Sequence, residues 1–235
     1  QGIACFGYFD VQFDEAAFCN TNPKRELWTP QAPAGRRRKE SPFMYKFFAY
    51  ISRMKYITRW SLMRNSVSEN TQEHSHMVAV LSHALGVIGR DVFGKNYSPD
   101  ACAAAALFHD ASEIFTGDLP TPIKYYSPAI RDAYHQVEAE ATEKLLSLLP
   151  EELRGAYAPV LQETDPEIRR IVKAADKLSA YIKCLEELEA GNNEFGDAAG
   201  ETLAALRGMH MEEVSWFLDH FAEAFGLTLD GLQRG

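Results

Sequence analysis

The stretch "NTQEHSHMVAVLSHALGVIGRDVF" spans residues 70–93 and has the repeat of an amphipathic helix. At about 100° per residue, a single stripe of this segment carries most of its large apolar side chains. That stripe consists of His74, Met77, Val78, Leu81, Leu85, Ile88 and Val92. Because His76 and His83 point the other way, the segment predicts a helix that buries one histidine near its start.

The rest of the chain from about Met44 onward also predicts helices, since it has few β-branched clusters and no Asn-Gly turns. The further predicted helices cover residues 43–57, 98–110, 127–149, 164–191 and 197–225. Ser98-Pro99 and Asp165-Pro166 each place a capping residue before a proline at the first helical position. These patterns predict an all-α fold, a single bundle of about six or seven helices.

Residues 1–42 differ in composition from the rest of the chain. They contain four prolines, a basic cluster at Arg36–Lys39 and no sustained periodicity. We predict a poorly ordered N-terminal extension, followed by one domain over residues 43–235. The alternative for the basic cluster is a patch that binds nucleic acid or another anion.

The bulk composition restricts the class of protein. Hydrophobic residues make up 46% and charged residues 24% of the 235 residues, which is ordinary for a globular protein. No apolar run is long enough to cross a bilayer, and no secretory signal is evident. The net charge of −9 argues against a nucleic-acid polymer as partner. The four cysteines form no CxxC pair, so we expect a reduced, cytoplasmic setting and no membrane partner.

A second stretch, "FHDASEIFTGDLPTP" (108–122), carries candidate metal ligands. Adjacent residues on a regular helix diverge by about 100°, so His109 and Asp110 share one ion only if it lies off the axis or the helix distorts. Nitrogen and carboxylate donors suit a divalent transition metal. The simpler interpretations are a charged helix end here and, for His74, a core histidine that hydrogen-bonds a carbonyl.

Glu113 follows one helical turn after the histidine-aspartate pair, at i+4 from His109 and i+3 from Asp110. A carboxylate beside a metal, but not bound to it, can position and deprotonate a water molecule. The alternative is a glutamate that faces solvent.

These residues resemble a known signature. His74, His109-Asp110 and Asp176 are similar to the H…HD…D pattern of the HD-domain metal-dependent phosphohydrolases. Longer stretches resemble the bacterial HD-domain 5′-deoxynucleotidases of the YfbR type, from about Phe43 to the C-terminus. They are "RWSLMRN" (59–65), "SENTQEHS" (68–75), "HDASEIFTGDLPTPIKY" (109–125) and "YIKCLEELEAGNNEF" (181–195).

The resemblance implies a single HD-domain bundle that hydrolyses deoxyribonucleoside 5′-monophosphates by attack of a metal-activated water, usually as a homodimer. It implies one divalent ion per chain, with cobalt, manganese or copper as candidates, bound by His74, His109, Asp110 and Asp176. The catalytic residues it implies are Glu113, Arg59 and Asp110. The substrate-binding residues it implies are Arg59, Trp60, His74, Asp110, Asp118, Leu119, Pro120 and Thr121.

Asp176 is nominated by the resemblance alone. The apolar stripe of its helix runs through Ile171, Ala175, Leu178 and Ile182, and Asp176 lies well off it. Periodicity would make it a surface residue, so a ligand role requires that this helix be contacted on two sides. The residues alone would likewise make Arg59 a surface residue at a helix end, and Trp60 fits a core position as well as a binding one.

Two alternative functions remain open at this point. One is an HD-domain hydrolase of a deoxynucleoside triphosphate or another small phosphoester. A triphosphate needs several cations near the site, and the three candidates, Arg59, Arg64 and Lys124, are few for that. The other is a non-catalytic helical module whose metal only stabilises the fold. For a monophosphatase, we hypothesise that Trp60 and the Asp118–Thr121 turn form a wall against a 2′-hydroxyl.

Overall fold

The described part of the chain is helical. The computed structural model describes residues 44–124 and 126–234, so the predicted extension at residues 1–42 lies outside the described residues. Within the described ranges, the one extended pairing is an isolated antiparallel bridge between Thr58 and Asn70. The all-α prediction is confirmed. No helix in these ranges combines the length and the apolar character needed to cross a membrane.

Seven helices of eight or more residues form the bulk of the described structure. They are α2 (Thr71–Val87), α3 (Pro99–Ala106), α6 (Pro128–Ser147), α7 (Glu151–Gln162), α8 (Pro166–Glu189), α9 (Gly196–Gly208) and α10 (Glu212–Phe221). Single-turn helices are α1 (Phe47–Ile51), α4 (Glu113–Thr116), α5 (Thr121–Lys124) and α11 (Leu229–Leu232). Four tighter or wider turns extend them: 3₁₀ segments at Ser52–Tyr56, Asn193–Phe195 and Ala222–Gly226, and a π-helical turn at Ile88–Val92.

The predicted helix over residues 197–225 is wrong, because α9 and α10 are separate. The chain turns after Gly208: His210 has a φ of 49°, and Met211 is extended and only 2% exposed. The helix α7 was not predicted, since none of its residues is fully buried and Pro150 provides no side-chain cap. The predicted helix over 43–57 is instead α1 followed by a 3₁₀ segment.

The main core lies between α2, α3 and α8. Its fully buried members include Val78, Leu81, Leu85, Ala106, Ile171, Ala175 and Leu178. Small residues let α2 and α3 approach each other: a Cβ at Gly86 would lie 2.9 Å from the Cα of Pro99. The predicted stripe of α2 is buried up to Ile88 except for Met77, which is partly buried, whereas Val92 is 50% exposed.

Capping residues fix the starts of the helices that carry the candidate site. The Asn70 side chain accepts hydrogen bonds from the backbone of Gln72 and Glu73, and Glu73 accepts one in return from Asn70 N–H. This capping box defines the first turn of α2. Asp165 caps α8 as predicted. Ser98 makes no side-chain cap hydrogen bond, so that part of the prediction for α3 is wrong.

A second apolar cluster supports the segment that follows α3. It joins Phe47 of α1, Ala111, and Leu145 and Leu149 around the end of α6, all at most 1% exposed. Because Ala111 sits in this cluster, the turn on either side of it is held against two other helices.

Candidate metal centre and active site

His74 is fully buried in the second turn of α2, at the interface with α8. Its Nδ1 lies 3.2 Å from the Ser179 hydroxyl, and its Nε2 lies 3.1 Å from Asp176 Oδ1. The interpretation as a core histidine bonded to a carbonyl therefore does not hold. In the tautomer with Nδ1–H donating to the serine oxygen, the lone pair of Nε2 is available to bind a metal ion beside the carboxylate.

The turn after α3 departs from a regular helix. The predicted helix over 98–110 ends at Ala106, four residues early, and tight i to i+3 hydrogen bonds follow, such as Phe108 N–H to Ala105 and Glu113 N–H to Asp110. His109 Nδ1 donates to the carbonyl of Ala106 at 2.7 Å. This bond leaves Nε2 as the acceptor nitrogen, and that buried atom has no hydrogen-bond partner in the described residues.

Donor atoms of three residues converge at this point. The ligand atoms of His74, His109 and Asp176 all lie within 4.8 Å of one another. Asp110 Oδ2 lies 3.1 Å from His109 Nε2 and 3.6 Å from His74 Nε2. Two ligands at about 2.1 Å from one ion are about 3 to 3.5 Å apart. The spacing and the orphaned imidazole nitrogen both fit a single bound metal ion.

Asp176 reaches this cluster because α8 is buried on two faces. Its neighbours on the second face, Val172, Ser179 and Lys183, are buried, although the Asp176 side chain itself is 43% exposed. The condition set by the sequence, contact on two sides of this helix, is therefore met. Periodicity missed the second face because it carries a serine and a lysine rather than apolar residues.

The charges of the cluster stabilise each other's ionised forms. Burial alone lowers the pKa of His109, but the negative charges of Asp110 and Asp176 raise it to about 9. Burial raises the pKa of Asp110, and the charges of His109, His74 and Arg59 reverse this and hold it well below its ordinary value. In an ion-free site, a proton on His109 thus occupies the place of a metal ion.

Glu113 is buried beside the cluster rather than exposed to solvent. It is 4% exposed, and its Oε2 accepts a hydrogen bond of 3.2 Å from the hydroxyl of Thr71. Burial, followed by repulsion from Asp110 and Asp118, raises its pKa to about 8. A carboxyl group with such a pKa can exchange a proton near neutral pH.

Arg59 and Trp60 lie on the segment that leads into α2. Arg59 is held by Glu69, whose Oε2 accepts from its Nε at 3.2 Å, while its Nη1 lies 3.5 Å from Asp110 Oδ2. The same glutamate oxygen accepts from Trp60 Nε1 at 3.1 Å. The Arg59 side chain is only 12% exposed, so it is not a surface residue. Trp60 is partly buried and packs against Phe195.

The segment after α4 turns at Gly117, which has a φ of 72°. Asp118, Leu119 and Pro120 are half-buried there. Burial raises the pKa of Asp118. The charge of Arg59 opposes this rise, and the charge of Asp110 adds to it. Asp118 is therefore close enough to the cluster to interact with its charges. The backbone of Thr121 begins α5, and its side chain lies outside the described part.

Sequence reasoning missed three residues that contact the candidate site: Thr71, Ser179 and Glu69. Ser179 shares a helix face with Asp176, so its position was available from helical spacing once Asp176 was considered. Glu69 precedes the capping residue Asn70 by one position, and nothing in the sequence pattern connects it to Arg59.

The fold and the donor set together define the class: an all-α domain with a His, His-Asp and Asp cluster suited to one metal ion. Residues 46–225 match the family described as 5′-deoxynucleotidase YfbR-like. A 5′-deoxynucleotidase of Vibrio cholerae is 50% identical over 186 residues, which cover 78% of this chain and 96% of the relative. The chain belongs to the YfbR-like 5′-deoxynucleotidase family.

Two further comparisons agree. A 5′-deoxynucleotidase of Erwinia tasmaniensis is 48% identical over 191 residues, covering 80% of this chain and 96% of the relative. The crystal structure of an HD-domain phosphohydrolase from Listeria innocua is 26% identical, with a TM-score of 0.67 over 80% of this chain and 92% of that one. The resemblance to HD-domain phosphohydrolases is therefore confirmed.

Proposed function

We propose that this protein hydrolyses deoxyribonucleoside 5′-monophosphates to deoxynucleosides and phosphate at the cluster around His74 and Asp110. The observation that carries the proposal is the placement of Arg59 Nη1 3.5 Å from Asp110 Oδ2, which brings a phosphate-binding cation to the metal donors. The printed names of the relatives from Vibrio cholerae and Erwinia tasmaniensis, both 5′-deoxynucleotidases, support this choice of substrate.

The proposed cofactor is one divalent ion, held by His74, His109, Asp110 and Asp176. Two imidazole nitrogens and two carboxylates suit cobalt, manganese or copper better than magnesium, which prefers oxygen ligands. When bound, the ion polarises a phosphate oxygen and lowers the pKa of the attacking water.

Arg59 would bind the phosphate of the substrate. Because Glu69 occupies its Nε, the two Nη groups keep four N–H donors for other partners. A planar guanidinium can donate two parallel hydrogen bonds to phosphate oxygens. The burial of its side chain strengthens this interaction relative to one in bulk water.

Glu113 would accept the proton of the attacking water at its carboxylate. The water oxygen forms a bond to phosphorus, the bond from phosphorus to the 5′-oxygen breaks, and the departing 5′-oxygen takes up a proton from solvent water. Glu113 returns the proton that it accepted to solvent before the next turnover. The hydrogen bond from Thr71 fixes the Glu113 carboxylate during this transfer. The presence of a buried, proton-exchanging carboxyl that is not in the donor cluster argues against a metal with a purely structural role.

Trp60 and the turn from Asp118 to Thr121 remain our candidates for the wall against a 2′-hydroxyl. Trp60 is held by hydrogen bonding at Nε1 and by packing on Phe195, with ring centroids 5.4 Å apart, so it cannot easily move aside for an extra oxygen. This rigidity supports the proposal that the enzyme prefers deoxyribonucleotides.

A triphosphate substrate is the second candidate, and the charges disfavour it. Of the additional cations proposed for it, Arg64 is 91% exposed and paired with Glu194. Lys124 is paired with Glu138 at 3.4 Å. We further propose a cytoplasmic homodimer; the free, buried Cys102 and Cys184 are compatible with a reducing compartment.

A substrate panel tests the proposal. Release of phosphate and of triphosphate is measured from dAMP, AMP, dATP and a non-nucleotide monoester, each with added cobalt, manganese or copper. We expect dAMP to be hydrolysed with the highest kcat/KM. Release of triphosphate from dATP without cleavage of dAMP would select the alternative hydrolase, and inactivity toward the whole panel with every metal would select the structural module.

A further inference from the structure

Glu69 joins two residues that the proposed reaction uses at opposite ends of the substrate. One carboxylate oxygen, Oε2, accepts from both Arg59 Nε at 3.2 Å and Trp60 Nε1 at 3.1 Å. Its side chain is only 17% exposed, so both hydrogen bonds are partly shielded from water. Two hydrogen bonds to one charged acceptor are strong where water is partly excluded.

The backbone around Trp60 is strained, and several contacts hold it. Trp60 has a φ of 56°, which is uncommon and unfavourable for a bulky residue. Its carbonyl accepts from Met63 N–H at 2.9 Å and from the Asn65 side chain at 3.2 Å. The Glu69 hydrogen bond fixes the indole itself, together with the packing of the ring on Phe195.

Glu69 is itself anchored on both sides. Its carbonyl accepts from Arg59 N–H at 3.0 Å, beside the isolated bridge between Thr58 and Asn70. Earlier in the loop, the buried carboxylate of Glu187 accepts from Ser66 N–H at 2.8 Å, and the buried Lys183 donates to the Val67 carbonyl. The loop that presents Glu69 is thus tied to α8, the helix that carries Asp176.

We propose that Glu69 is a positioning residue that fixes Arg59 and Trp60 as one substrate-recognition unit. The inference rests on the proposed function, in which Arg59 binds the phosphate and Trp60 contacts the nucleoside. Glu69 does not touch the substrate in this scheme. It sets which edge of the guanidinium faces the metal donors and keeps the indole at a fixed distance from that edge.

The test measures binding of the two products separately to cobalt-loaded protein. Inorganic phosphate reports on the Arg59 end, and deoxyadenosine reports on the Trp60 end. Glu69→Ala removes both hydrogen bonds, and we expect it to raise the dissociation constants of phosphate and of deoxyadenosine each by about tenfold or more. Trp60→Phe, which removes one donor, should weaken deoxyadenosine only.

Two variants separate positioning from a general loss of structure. Glu69→Gln keeps an oxygen acceptor and should recover most of both affinities. Glu194→Ala breaks the exposed pair with Arg64 in the same loop and should leave both affinities unchanged. Should Glu69→Ala fail to fold, Glu69→Met keeps the length of the side chain without an acceptor and replaces it in every comparison.

Unchanged binding of either product in the variant without an acceptor overturns the inference. So does a loss that Glu194→Ala reproduces or that Glu69→Gln does not restore, because the loop as a whole would then be responsible. These results differ from a failure of the proposed function, in which the wild-type protein itself neither hydrolyses dAMP nor binds phosphate.

Discussion

His74 Nε2 lies 3.1 Å from Asp176 Oδ1, although the two residues are 102 positions apart in the chain. The contact joins α2 to α8 and closes the donor cluster that α3 and its following turn begin. We expect Asp176→Ala to lower the affinity for cobalt by at least about a hundredfold, since it removes a proposed ligand and leaves His74 Nε2 without this partner. Metal content after dialysis, measured by elemental analysis, checks this.

The matched control for that variant is Asp219→Asn, an exposed aspartate of α10. It should bind cobalt as the wild type does. Full cobalt occupancy in Asp176→Ala would show that the donor cluster does not include this carboxylate.

Ser179 orients the ring of His74 through the 3.2 Å contact between its hydroxyl and Nδ1. Removal of such an outer partner of a ligating histidine typically costs about 10- to 100-fold in metal affinity. We expect Ser179→Ala to show a loss in this range in a competition titration with a chelator. Ser82→Ala is the control, because Ser82 is equally buried and its hydroxyl has no partner among the described residues. Equal affinities of the two variants would contradict the orienting role.

Thr71 supports the charged form of Glu113 by donating to its Oε2 at 3.2 Å. A carboxylate that loses a hydrogen-bond donor is harder to ionise, so Thr71→Val should raise the pKa of Glu113. The acidic limb of the pH profile of kcat/KM should therefore move to higher pH. Thr142→Val on α6, where the hydroxyl donates to a backbone carbonyl, should leave the limb in place. An unshifted limb in Thr71→Val would mean that Glu113 does not control it.

The stability of the metal-free protein should fall as the pH rises from about 6.5 to 9. The pKa of His109 is raised to about 9, so its contribution is complete below about 6.5 and is lost as the pH approaches 9. Glu113, with a pKa raised to about 8, changes stability in the same direction between about 4.5 and 8. For each group whose pKa is higher in the folded state, the free energy of unfolding falls by up to about 1.4 kcal/mol per pH unit between the unfolded and the folded pKa.

Thermal unfolding with and without cobalt across this pH range checks the prediction. The ion requires the unprotonated His109 nitrogen, so the metal-loaded protein should lack the part of this decline that His109 causes. The same decline in both forms would show that protons on the donor cluster are not its cause.

Helical periodicity identified the parts of the fold where one apolar face meets the core. It predicted α2, α6 and α8, and it placed His74 on a buried face because the neighbours of His74 are large and apolar. It failed for α7, which has no fully buried residue, and at the break between α9 and α10, where His210 adopts a positive φ. The break leaves no signal in the repeat, whereas α7 carries a repeat of Leu153, Tyr157 and Leu161 that the prediction did not use.

The residues of the candidate site also differ in whether the sequence predicted them. His109, Asp110 and Glu113 were available from local spacing, because they lie within five residues on one turn. Asp176 required the family resemblance, since its face of α8 is buried by polar residues such as Ser179 and Lys183. Glu69 was not predicted at all, because its role depends on a loop that folds back onto Arg59.

The central claim is that Glu113 accepts a proton during hydrolysis of dAMP while the four-residue cluster holds the ion. Glu113→Gln keeps the side chain's size and its hydrogen bond from Thr71, and it cannot accept that proton. The measurement is phosphate release from dAMP by cobalt-loaded wild type and Glu113→Gln, with cobalt content determined on the same samples. We expect kcat to fall by roughly 100- to 10,000-fold with full cobalt occupancy. A variant that retains wild-type kcat at full occupancy would contradict the account.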